Sequence, residues 1–109
     1  MHEVKMKKSR MKDGTELTVF SREITDANIL SVEAGTTGYK GGDTGHGGRT
    51  YFRIEDLAST DIKVKALGED GDKGLAVMLG GDTELTTIIK ALKFIVKVLE
   101  EEANDADGD

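Results

Sequence analysis

Apolar and polar residues alternate in short runs along the first two-thirds of the chain, and turn-forming residues separate the runs. Such alternation is typical of strands that bury one face. Asp13-Gly14 tolerates the positive φ of a tight hairpin and joins the first two runs. The last run is continuously apolar, which suits a strand buried on both faces. The pattern predicts six strands, at residues 4–11, 15–21, 29–34, 50–55, 61–67 and 75–79.

A different period begins at Leu85, where apolar residues recur at spacings of three and four and so form one stripe along a helix. Asp82 or Thr83 provides an N-cap and Glu84 an acid in the first turn, so we expect a helix over residues 83–103. Phe94 and Val98 lie off the stripe, and they either widen the buried face or form a second one for self-association. The stripe consists of Leu85, Ile88, Ile89, Leu92, Ile95, Val96, Leu99 and Ala103.

These elements predict an α+β fold, with a mostly antiparallel sheet of about six short strands and one C-terminal amphipathic helix packed on a face. A chain of 109 residues has room for one core, so we expect a single domain over residues 1–103. Residues 104–109 contain three aspartates and are expected to form an acidic, flexible tail. The inward positions are expected to include Leu17, Val19, Ile62 and Val64.

Composition narrows the functional classes. The net charge of −6 disfavours bulk binding to duplex nucleic acid, which depends on neutralising phosphates. There is no cysteine, and the two histidines, His2 and His46, lack the spacing of a metal site, so neither a metal nor a cofactor is predicted. The apolar runs are far shorter than the roughly 20 residues of a membrane span, and the charged start lacks an apolar signal segment. We therefore expect a cytoplasmic protein without membrane contact.

Seven of the fourteen glycines fall between Gly35 and Gly48, in the stretch EAGTTGYKGGDTGHGGRTYFR. Glycine loses more conformational freedom on folding than other residues, so such a loop either stays mobile or is ordered by contacts that need a bare backbone. One interpretation is a flexible connection between two strands. Against it, the glycines are interleaved with hydroxyl, aromatic and charged side chains, which are unusual in a spacer.

A second interpretation is an anion or nucleotide site, because successive glycine amides form concave sites for phosphate oxygens. Residues 35–53 contain Lys40, Arg49 and Arg53 against one acid, Asp43. The stretch matches neither a P-loop nor GxGxxG, since a strand-like segment follows it. The predicted ligand-binding residues are Thr36, Thr37, Tyr39, Lys40, Gly41, Gly42, Asp43, Thr44, His46, Gly47, Gly48, Arg49 and Tyr51.

Catalysis is a third interpretation. Asp43 and His46 are three residues apart, and a His–carboxylate pair could act as a general base on a phosphodiester or glycosidic bond. The favoured alternative is that His46 forms hydrogen bonds that only order the loop. A further alternative is a protein-interaction module whose loop docks on a partner.

Residues 32–56, VEAGTTGYKGGDTGHGGRTYFRIED, resemble a segment of small uncharacterised proteins of phages and mobile elements, over about a quarter of the chain. The resemblance implies a counter-defence role, in which a non-enzymatic homo-oligomer sequesters a nucleotide signal in pockets at subunit contacts. The leading expectation is therefore a small protein that binds a phosphate-bearing ligand without turnover, with non-enzymatic binding favoured over catalysis.

Overall fold

The computed structural model describes residues 4–12, 14–25, 28–40 and 48–108, with side chains described as far as Ala103. Six strands precede one helix. In chain order the elements are β1 (Lys5–Arg10), β2 (Glu16–Thr25), β3 (Ile29–Thr36), β4 (Thr50–Ala58), β5 (Ile62–Leu67), β6 (Gly74–Leu79) and α1 (Asp82–Gly108).

The first four strands form an antiparallel meander in the order β1-β2-β3-β4. The turn between β1 and β2 depends on Gly14, whose φ of 90° favours glycine. Glu33, in the middle of β3, pairs with Ser21 of β2 and Arg53 of β4. A register shift beside Ile29 leaves one extra residue in β4, as in a β-bulge.

Side chains of β3 alternate between the two faces of this sheet. Leu30, Val32 and Ala34 are fully buried beneath the helix, whereas Glu33 and Gly35 belong to the opposite face. The core cluster joins β2, β3 and α1 and consists of Ile24, Leu30, Val32, Ala34, Ala91, Phe94, Ile95 and Val98. The predicted α+β class, with antiparallel strands and a C-terminal helix on a sheet face, is confirmed.

The helix packs with a different face from the one that the stripe predicted. Phe94 and Val98, expected off the stripe, are core residues. The predicted core positions Leu85, Ile89, Leu92 and Val96 are 59%, 44%, 48% and 53% exposed. Apolar residues cover more than half of the circumference of α1, so their spacing alone is compatible with two orientations of the helix against the sheet.

Two contacts account for the observed orientation of α1. Ala91 is completely buried, and its small side chain allows the helix to approach the sheet closely. The Thr87 hydroxyl donates a 2.6 Å hydrogen bond to the buried Asn28 Oδ1 at the start of β3. Together they turn the Ala91 and Phe94 side of the helix towards the sheet. The backbone of α1 continues beyond Ala103 to Gly108, while the mobility of an acidic tail stays a prediction.

Strands β5 and β6 form a separate two-stranded sheet, so the six predicted strands divide between two sheets. The expectation that residues 75–79 are buried on both faces is wrong, because β6 pairs only with β5 and Leu75 is 56% exposed. Val64, predicted to face inward, is 62% exposed. Ile62 is the exception, since it packs against the core cluster at the base of this hairpin.

Candidate functional site

The two arms of the glycine-rich loop are joined at their base by hydrogen bonds. The Thr37 amide donates to the Arg49 carbonyl at 2.9 Å, and the Arg49 amide donates to Thr37 Oγ1 at 2.8 Å. The Gly38 amide donates to Thr36 Oγ1 at 3.0 Å. The Thr36 and Thr50 hydroxyls lie 3.0 Å apart and form a hydrogen bond in which either one can donate. These bonds fix where the loop leaves β3 and where it enters β4.

Gly48 is a glycine because the two arms approach too closely for a larger residue. A Cβ at this position would overlap the Gly38 carbonyl and lie 3.1 Å from Thr37 Oγ1. Gly38 itself has a φ of 83°, a conformation that side chains rarely adopt. Part of the glycine content therefore serves the loop's own packing.

The backbone amides of Thr37, Gly38 and Arg49 each donate a hydrogen bond within the protein, so they are not available as donors for a ligand. An anion cradle of backbone amides would have to come from the tip of the loop. Its predicted members, and the pair proposed for catalysis, lie outside the described residues: Gly41, Gly42, Asp43, Thr44, His46 and Gly47.

A cleft of about 480 Å³ lies between this loop base and the C-terminal part of α1. Its polar side is formed by the arms of the loop and the first residue of β4, and its apolar side by Leu99 and Ala103 of the helix. Tyr39 is 73% exposed at the cleft, so its ring is accessible. The lining residues are Thr36, Gly38, Tyr39, Lys40, Gly48, Thr50, Leu99 and Ala103.

Among the described residues that line this cleft, Lys40 is the one that carries a charge. Lys40 therefore contributes a positive charge to the cleft, within a chain whose net charge is −6. A concave site with an apolar wall and a few placed polar groups is typical of small-molecule sites. Such a site suits a ligand with a ring or other apolar part and one anionic group.

The structure separates the predicted site residues into groups. Thr36, Tyr39, Lys40 and Gly48 line the cleft together. Thr37 and Arg49 belong to the hydrogen-bonded base, where Arg49 Nη1 lies 3.4 Å from the Gly48 carbonyl. Tyr51 is on the opposite face of the sheet, because strand alternation reverses direction between Thr50 and Tyr51.

Tyr51 instead belongs to a polar cluster around Glu33, whose side chain is 5% exposed. The Tyr51 hydroxyl donates a 2.7 Å hydrogen bond to Glu33 Oε1, and Arg53 Nε lies 3.3 Å from the same oxygen. Lys7 Nζ lies 3.1 Å from Glu33 Oε2. Arg53 also pairs with Glu55 at the edge of the cluster. Two strands, β1 and β4, thus direct three donors at one carboxylate.

Opposing influences act on the pKa of Glu33. Burial raises the pKa of this carboxyl, but hydrogen bonds from Tyr51, Lys7 and Arg53 and the charge of Arg53 outweigh burial and hold the pKa below its ordinary value. Burial and the bond to Glu33 raise the pKa of Tyr51. The carboxylate stays ionised at neutral pH with its oxygens occupied, which makes the cluster a structural feature rather than a catalytic base.

A larger cleft of about 770 Å³ lies between α1 and β2, outside every sequence-based prediction. Its floor is apolar and includes Phe20 and Phe94. Its rim carries both signs of charge, namely Arg22, Lys90, Lys93 and Lys97 with Glu23, Glu101 and Glu102. Because the positive and negative charges on this rim offset one another, the larger cleft indicates an anionic ligand less clearly than the smaller cleft, whose described lining contributes Lys40 as its charged residue.

Sequence reasoning also missed three residues of the smaller cleft, Thr50, Leu99 and Ala103. Thr50 could have been found from its position directly opposite Thr36 in the predicted hairpin. Leu99 and Ala103 carried no such signal, since they come from a helix about fifty residues further along the chain.

Comparisons with protein-family models, with curated proteins and with solved structures found no match to this chain. Among the described side chains, no group of three or more His, Cys, Asp or Glu is placed to hold a metal ion. Within the same part of the chain, no helix has both the length and the apolar character needed to cross a membrane.

Proposed function

We propose that the protein binds a small phosphate-bearing ligand, most simply a nucleotide, in the cleft beside the glycine-rich loop and does not turn it over. The observation that carries the proposal is the position of Lys40 and Tyr39 on the polar side of a cleft whose other side is apolar. Lys40 would pair with the phosphate, and the accessible ring of Tyr39 would stack on the base.

The hydrogen-bonded loop base supports this proposal. Ordering a loop on binding costs conformational entropy, and a ligand gains affinity when that cost is met before it arrives. The bonds between Thr37 and Arg49, and the hydroxyl pair of Thr36 and Thr50, hold both arms in place without a ligand.

Binding without turnover is proposed from the chemistry of the described residues together with the resemblance to phage proteins. The buried carboxylate nearest in sequence to the loop, Glu33, is neutralised by three donors on the other face of the sheet. A role as a sponge for a nucleotide signal follows from the resemblance of residues 32–56 and depends on it.

The test is isothermal titration calorimetry with a panel of mononucleotides and cyclic nucleotides, followed by chromatography of the recovered ligand. We expect one class to bind and to be recovered intact. Lys40→Ala should weaken that binding by about tenfold, as expected for loss of one charge-assisted hydrogen bond at an exposed site. Lys65→Ala, on the distant β5–β6 hairpin, is the matched control and should bind like the wild type.

Two further variants separate the alternatives. Lys93→Ala removes a cation from the larger cleft, so a loss of affinity in Lys93→Ala but not in Lys40→Ala would move the site there and refute the assignment. If the wild type converts the nucleotide to a product and His46→Ala does not, catalysis is established and binding without turnover is refuted.

A further inference from the structure

The outward side of α1 presents an apolar stripe that the fold of one chain leaves uncovered. Leu85, Ile89, Leu92 and Val96 are spaced four, three and four residues apart and are between 44% and 59% exposed. This spacing is the heptad pattern of helices that pair with another helix. Leucine occupies one of the two heptad positions and a β-branched residue the other, a combination that favours two-helix assemblies.

A second apolar surface lies on the hairpin formed by β5 and β6. The register places Val64 opposite Val77 and Ala66 opposite Leu75, so their side chains share one face. Val64, Leu75 and Val77 are 62%, 56% and 40% exposed. The other face of β5 carries Lys63 and Lys65. An isolated two-stranded hairpin is at best marginally stable in water, so this apolar face needs a partner surface.

The two surfaces are large enough to account for a specific interface. The seven side chains named above expose on the order of 700 Å², near the roughly 800 Å² that each partner buries in an interface of standard size. The two surfaces are also adjacent. Two glycines, Gly80 and Gly81, separate β6 from α1, and Ile62, the first residue of β5, packs against the core cluster.

We propose that a second copy of this chain covers both surfaces, in a two-fold symmetric dimer in which the α1 helices pair in parallel and each hairpin closes over the partner. A two-fold interface uses the same patch on both subunits, which a heptad stripe satisfies without any other protein.

The identity of the heptad residues favours a parallel orientation. Leucine at one heptad position with a β-branched residue at the other is the combination of parallel two-helix assemblies, in which each residue of the stripe faces its own copy.

The first experiment measures mass in solution by analytical ultracentrifugation. We expect the wild type to sediment as a dimer at micromolar concentrations. Leu92→Glu and Val64→Glu should each give a monomer with unchanged circular dichroism, because both side chains are exposed within one chain. Lys90→Glu on the helix and Lys65→Glu on the hairpin add the same acid outside the two surfaces and should leave the dimer intact.

A monomeric wild type, or a dimer that persists in both glutamate variants, would overturn the proposal. Orientation is tested by single cysteines, since the chain contains none. Parallel helices bring Leu92→Cys and Leu85→Cys each close to its own copy, so both variants permit a disulfide under mild oxidation. Antiparallel helices crossing near Leu92 would leave Leu85→Cys more than about 15 Å from its copy, given the 1.5 Å rise per residue. Cross-linking of Leu92→Cys without cross-linking of Leu85→Cys would contradict the parallel pairing.

Discussion

Replacing Glu33 by glutamine tests whether the polar cluster on the face of the sheet opposite α1 stabilises the fold. The substitution keeps the shape of the side chain but removes the charge that faces Lys7 and Arg53. It also replaces one of the two oxygen acceptors by an amide donor. At least one of the three donors would then lose its acceptor, in a side chain that is 5% exposed.

The expected cost follows from the burial of the cluster's members. Removing one member of a fully buried ion pair costs about 3 to 5 kcal/mol. Here Lys7 and Arg53 are 62% and 37% exposed, so water screens both and can solvate them once the acid is gone. We therefore expect Glu33→Gln to lower the free energy of unfolding by about 2 kcal/mol at pH 7. Tyr51→Phe, which removes one donor and no charge, should cost about 1 kcal/mol.

The loss of stability caused by Glu33→Gln should become smaller as the pH falls. The folded state lowers the pKa of Glu33, so the unfolded chain takes up the proton first as the pH falls. The stabilisation is complete above the unfolded pKa of about 4.3 and is lost as the pH falls through the folded value. The difference between wild type and Glu33→Gln should thus be constant from pH 7 to about 5 and shrink below pH 4.

Urea denaturation followed by circular dichroism at a series of pH values measures this difference. A loss of about 2 kcal/mol corresponds to a midpoint lower by about 1 M urea for a domain of this size. A difference that stays the same from pH 7 to pH 3, or the absence of any difference at pH 7, would refute the reasoning.

Three further substitutions test the packing of the chain by the same denaturation assay. Thr87→Val should cost about 2 kcal/mol, because the buried Asn28 Oδ1 would lose the hydroxyl that donates to it, whereas Thr86→Val on the exposed side should be nearly neutral. Gly48→Ala should cost about 2 kcal/mol or more, since its Cβ would overlap the facing arm of the loop, and a neutral result would contradict the described loop base. Ser59→Gly should stabilise by about 0.5 to 1 kcal/mol, because Ser59 has a φ of 65°, and destabilisation would argue against that conformation.

The local elements of this fold could be predicted from the sequence because alternation and capping are properties of neighbouring residues. The orientation of α1 could not, since Phe94 and Leu92 are equally apolar and only contact with the sheet decides which is buried. Alternation around Val64 likewise identified an amphipathic strand without showing that its apolar face lies outside the chain's own core.

Which residues line the smaller cleft could be predicted in part for the same reason. Thr36, Tyr39, Lys40 and Gly48 lie together because they belong to one short stretch. The position of Tyr51 outside this cleft could not be inferred from its closeness in sequence to these residues. In a strand, adjacent residues point to opposite faces, and the alternation that identifies Thr50 as a cleft residue places Tyr51 on the other side.

A nuclear magnetic resonance titration of the labelled protein with the nucleotide panel tests the central claim most directly, because amide shifts report where a ligand binds. We predict saturable shifts concentrated at residues 36–40, 48–50 and 99–103, accompanied by new or shifted signals from the loop tip. Shifts confined to the lining of the larger cleft, or no saturable shift with any phosphate-bearing ligand in the panel, would contradict the account.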